Sequence, residues 1–124
     1  MGSLNVFEMT PEVGLMERRT HQRIKAAIPA EIRADGSDAT LRVETADISL
    51  GGCYVPMIFT LEVGRMLDIV LSVRQHKLPM RGVVVSRHPQ LGNGIMFLEI
   101  EREDRIRLQN YLRTLIDAKV ERKH

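Results

Sequence analysis

The chain has one cysteine, no tryptophan and only 4% aromatic residues in 124. A lone Cys53 excludes an intrachain disulfide and a cysteine-based zinc site. The shortage of aromatics removes the stacking surface with which small β-barrels hold single-stranded nucleic acid, so that partner is not expected. No apolar run approaches the length needed to cross a bilayer, and the first residues lack the apolar core of a signal peptide. A cytoplasmic protein without membrane insertion is the expectation. Net charge is small as well: 18 Lys and Arg against 16 Asp and Glu leave +2, too little to imply nucleic-acid binding by itself. The histidines are dispersed without ligand spacing, so no metal is assigned. Ser49 is not in a G-x-S-x-G elbow and has no base paired with it in the sequence. Cys53 reads as a small buried thiol rather than a nucleophile. No enzyme is expected.

What is present fits one folded unit with one modest core, since 44% of residues are hydrophobic and 27% charged. Residues 1–17 are broken by Pro11 and Gly14 and read as a flexible N-terminal arm; residues 18–124 read as the domain. From Ile28 onward, short runs rich in β-branched residues alternate with turn signals. The runs are Ile28 to Arg33, Thr40 to Ile48, Cys53 to Ile58, Met66 to Val73, Lys77 to Ser86 and Gly94 to Leu98. In "LRVETADI" the alternation places Leu41, Val43, Thr45 and Asp47 on one face and Arg42, Glu44 and Ala46 on the other. Six strands with one buried face suggest an antiparallel sheet, and closing it into a barrel over about residues 24–100 removes its edges. Leu108, Tyr111, Leu112, Leu115 and Ile116 then share one face of a helix expected from about Arg102 to Val120. Glu101, Glu103 and Asp104 near its start and Lys119, Arg122 and Lys123 near its end suit the helix dipole. The methionines in or beside apolar runs, Met57, Met66, Met80 and Met96 among them, read as core filling.

Two short constellations stand out. "RRTHQRIK" holds Arg18, Arg19, Arg23 and Lys25 with no acidic residue, and Arg19 and Arg23 make an R-x-x-x-R pair. Some two dozen residues later Asp47, Ser49 and Gly52 make D-x-S-x-x-G in "DISLGG". Taken singly, each has an ordinary structural explanation: a solvated basic segment in one case, and in the other a turn with local side-chain hydrogen bonds and glycines supplying positive φ.

In this order and spacing, the two together resemble the PilZ family of bacterial cyclic di-GMP receptors, with Gly92-Asn93-Gly94-Ile95-Met96-Phe97 similar to the approach to that family's last strand. The resemblance runs from Arg18 to the C-terminal helix. It implies a six-stranded antiparallel β-barrel with a C-terminal α-helix, with Phe97 in the core. It implies cyclic di-GMP as the ligand, gripped by Arg18, Arg19 and Arg23 from the N-terminal side and by Asp47, Ser49 and Gly52 from the barrel. Arg18, just before the R-x-x-x-R pair, would favour a stacked pair of ligand molecules. Such a protein would change the conformation of its arginine segment on binding and signal to a downstream protein that the sequence does not identify. The alternative is a PilZ-like adaptor that works by protein contact without nucleotide.

Overall fold

The structure is a computed structural model that describes residues 22–122. Eight strand segments precede one helix: β1 (Ile24–Lys25), β2 (Pro29–Ala34), β3 (Leu41–Glu44), β4 (Asp47–Ile48), β5 (Gly52–Pro56), β6 (Met66–Val73), β7 (His76–His88), β8 (Gly92–Ile100) and α1 (Arg102–Arg122). All pairings are antiparallel, in the order β1-β4-β5-β8-β7-β6-β2-β3. The arm expected over residues 1–17 lies outside the described residues.

The expected six strands and the eight segments are reconciled at one seam. β1 pairs with β4 through Ile24↔Ile48 and Lys25↔Asp47, and β2 pairs with β3 from Pro29↔Glu44 onward. Between these rungs three residues, Ala26 to Ile28, oppose two, Thr45 and Ala46. This is a bulge that breaks each long strand into two segments. Joined across it, the segments form six strands, and the sheet's two ends are paired with one another: the sheet is a barrel. Thr45 fastens the bulge. Its amide donates to the Ile28 carbonyl at 3.0 Å, its Oγ1 accepts from the Ile28 amide at 3.0 Å, and the hydroxyl donates to the Ala26 carbonyl at 2.6 Å.

The bulge corrects the expected alternation. Val43 and Thr45 turn inward, but the next inward residue is Ile48, which is fully buried, while Asp47 is only half-buried and faces out. The cause is a change of partner, from β2 on one side of the bulge to β1 and β5 on the other.

Elsewhere alternation and burial agree. β6 reads half-buried, buried through all eight residues, with Leu67, Ile69, Leu71 and Val73 in the core. Pro79 lies inside β7, but β8 ends opposite Met80, so the missing amide hydrogen falls where the ladder is one-sided. Phe97 packs half-buried against the core. Met80 is buried as expected; Met96 is not core filling, and projects outward opposite Gly52 at 45% exposure.

The connection from β5 to β6 crosses one end of the barrel. Asn93, fully buried, holds it there: its Oδ1 accepts from the Leu61 amide at 2.8 Å, and its Nδ2 donates to the carbonyls of Leu61 at 2.9 Å and Ser86 at 3.1 Å. Ile58, Phe59, Val63 and Leu91 are exposed at this end.

Helix α1 packs across the opposite end. Leu108 and Leu112 are buried and Tyr111, Leu115 and Ile116 half-buried, the stripe expected from the sequence. Arg74, in the β6–β7 turn, lies over the Tyr111 ring at 5.4 Å from its centroid. A groove runs between the helix and β1, its apolar side formed by Ile24, Leu50, Leu112 and Ile116 and its polar side including Gln22 and Arg113. Among the described residues, no helix is long and apolar enough to cross a membrane.

Candidate ligand-binding site

The D-x-S-x-x-G stretch forms β4, a tight turn and the start of β5, at the same end of the barrel as α1. Pairing of Ile48 with Cys53 and of Asp47 with Tyr54 follows from the turn, whose Ser49 amide donates to the Gly52 carbonyl at 2.8 Å. Counting outward from that turn then fixes which side chains leave the barrel: Cys53 and Ile48 point in, Asp47 and Tyr54 out.

Arg23 directly precedes β1, and β1 lies beside β4. The barrel therefore brings together two residues 24 apart in sequence: Arg23 Nη1 donates to Asp47 Oδ1 at 2.6 Å. Their side chains retain 52% and 32% of their exposure, so the pair sits on the surface rather than in the core. Lys25, opposite Asp47 on β1, adds a second cation to this patch.

The other expected residues fall as follows. Ser49 is 4% exposed, and its hydroxyl accepts from the Gly51 amide at 3.1 Å within the turn. The guanine contact expected of it would need that hydroxyl to turn outward. Gly52 does not serve by positive φ; the glycines with positive φ among the described residues are Gly36 and Gly64. Gly52 is required because β8 crosses so closely that an added Cβ would collide with the Ile95 carbonyl oxygen. Arg18 and Arg19 lie outside the described residues. Cys53 is buried, and burial pushes its thiol up to about 12, so it is not a nucleophile at neutral pH. Among the described residues no group of three or more His, Cys, Asp or Glu could hold a metal ion.

A neighbour that the two motifs do not name is Tyr54. Its ring lies across β8 over Gly92, where an added Cβ would meet ring carbons at 2.8 and 2.9 Å. The hydroxyl lies 3.4 Å from His88 Nδ1, and the two rings are tilted by 50° at 5.8 Å. The signal was available in the sequence, because a turn at residues 49–52 opposes Asp47 to Tyr54.

The family model of the PilZ domain matches residues 17–114, and the chain belongs to that family. Among solved structures, the chain is similar to the PilZ domain of YcgR from Escherichia coli with c-di-GMP, at a TM-score of 0.67 and 20% identity over 86% of this chain and 97% of that one. It is also similar to YcgR from Escherichia coli in complex with c-di-GMP, at a TM-score of 0.69 and 21% identity over 86% and 49%. A third is the inhibitor of motility MotI/DgrA of Bacillus subtilis, at a TM-score of 0.67 and 18% identity over 84% and 52%. The chain spans about half the length of these last two proteins. At such identities the likeness is one of fold. No curated protein matches the chain.

Proposed function

We propose that this protein is a receptor for cyclic di-GMP whose arginine segment is drawn onto the barrel when the ligand binds, presenting a changed surface to a partner protein. The observation that carries this reading is the exposed Arg23–Asp47 pair at the barrel seam. The ligand is a dianion with two guanines. An arginine fork matches a phosphate, or the O6 and N7 of guanine, with two hydrogen bonds. An ionised carboxylate accepts from the N1 and N2 hydrogens on the guanine's other edge. Arg23 and Asp47 thus offer the two complementary chemistries the ligand needs, side by side.

In the structure these groups satisfy one another. An exposed ion pair contributes little to stability, so exchanging it for ligand contacts costs little. Arg23 would turn to phosphate or guanine and Asp47 to the base edge. Arg18 and Arg19 would close over the ligand from the N-terminal side, Arg18 favouring a stacked pair of ligands. Ser49 and Gly52 would complete the barrel side, the glycine by letting β5 lie close. Gln22, next to Arg23, and α1 line one groove, so a shift of the arginines would alter the surface beside the helix. No catalytic step belongs to this reading.

Calorimetric titration with cyclic di-GMP, GTP and a short oligonucleotide tests it. Saturable binding of cyclic di-GMP alone, weakened at least about tenfold by Arg23→Ala and by Asp47→Ala, is expected, since each charged contact is worth about 1–3 kcal/mol. Binding that survives both substitutions would refute the site. No binding by the wild-type chain would favour an adaptor that works by protein contact alone.

A further inference from the structure

We infer that Tyr54 is the platform on which the guanine held by Asp47 stacks; the inference rests on the receptor reading above. Tyr54 is directly opposite Asp47 across β4 and β5, which puts their Cβ atoms about 5 Å apart on the same outer face. The ring does not stand upright from the barrel. Gly92 leaves a gap in the surface of β8, and the ring lies down into it. On the far side His88 meets the hydroxyl at 3.4 Å and limits how far the ring can swing. The ring is thereby held as a shelf that starts beside the carboxylate and extends away from it, with its outer face half-exposed.

A base that offers its N1 and N2 hydrogens to Asp47 projects away from the carboxylate in the plane of those hydrogen bonds. From Asp47, β1 with Arg23 lies on one side and β5 with Tyr54 on the other. Stacking on Tyr54 gives the base an apolar contact that arginines and a carboxylate do not supply, and favours a purine, whose two rings cover the tyrosine, over a pyrimidine. A purely covering role for Tyr54 would explain the contact with Gly92. It does not explain why the ring borders the one carboxylate of the site, nor why its far end has a polar partner.

The composition makes the test direct. Tyr54 and Tyr111 are the two tyrosines, and tryptophan is absent. In the full-length Tyr111→Phe protein, therefore, Tyr54 is the sole source of emission in the tyrosine band. Cyclic di-GMP, after correction for its own absorbance, should quench that emission in step with the calorimetric saturation curve, and GTP at equal concentration should not. Tyr54→Phe keeps the ring but loses its contact with His88 and should weaken binding less than Tyr54→Ala, which should lose about tenfold in affinity, within the range for one base on one aromatic ring. Saturable binding with unquenched Tyr54 overturns the platform while leaving the receptor reading intact. No binding of cyclic di-GMP to the wild-type protein overturns both. The fluorescence result decides the matter even where Tyr54→Ala fails to fold.

Discussion

Gly52 shows how one residue can answer to a packing demand while sitting in a binding motif. Its neighbour in the ladder is Met96 on β8, and the backbone of Ile95 occupies the space where a side chain would begin. An alanine there forces apart the first rung of the pairing of β5 with β8. Gly52→Ala should therefore destabilise the fold by about 1–3 kcal/mol, the cost of overpacking a well-packed site, read as a lower urea midpoint. A wild-type midpoint would mean that β5 and β8 separate freely. The same residue scale explains what the sequence showed of the site. Arg23 and Asp47 were legible because the motif spacing names them, and the barrel does bring them together. The turn-internal hydrogen bond of Ser49 was legible as one of two readings of the motif, but the role of Gly52 was not, because strand spacing depends on β8, some forty residues downstream.

Among the elements, β6 and α1 were readable in full. Eight residues of strict alternation and a five-residue helical stripe each specify one buried face without help from a neighbour. β1 was not readable, since two residues in a basic segment cannot display a period. The break at Thr45 was hidden as well, because it comes from the change of pairing partner rather than from any residue that opposes strand structure. Strand packing also builds a cluster that sequence spacing does not suggest. On the outer face of β2, β6 and β7, Arg81 donates to Asp35 at 2.8 and 2.9 Å and to Asp68 at 2.9 Å, and Arg33 donates to Asp68 at 3.1 Å. The Arg81 hydrogen bonds hold both carboxyls below their ordinary 3.8, with Arg33 helping at Asp68. Because the folded values lie below the unfolded ones, the cluster's contribution is fully present above the ordinary carboxylate range and is lost as pH falls through the depressed values. Arg81→Met should accordingly lower Tm modestly at neutral pH, and the gap from wild type should close in acid. A gap that stays constant with pH would show that Arg81 acts through packing alone.

At the scale of the whole molecule, the barrel is a ring closed at one seam. That seam is strong in its middle, where Thr45 makes three hydrogen bonds, and thin at the helix end, where β1 and β4 share two rungs. The proposed ligand would lie across the thin end, between Arg23 and Asp47. A ligand that binds only the folded state stabilises by mass action, by about 2.7 kcal/mol at a concentration a hundred times Kd. Here the gain should be local as well as global: amide exchange at Ile24, Lys25 and Ile48 should slow on adding cyclic di-GMP far more than at Ile69 and Leu71 in the middle of β6. Equal slowing everywhere would mean that the seam does not open separately. The two-rung pairings on both sides of β4, with β1 and with β5, also make this the most loosely laced part of the hoop. A ligand that spanned it would act as a splint on the barrel wall, with no hinge required of the fold.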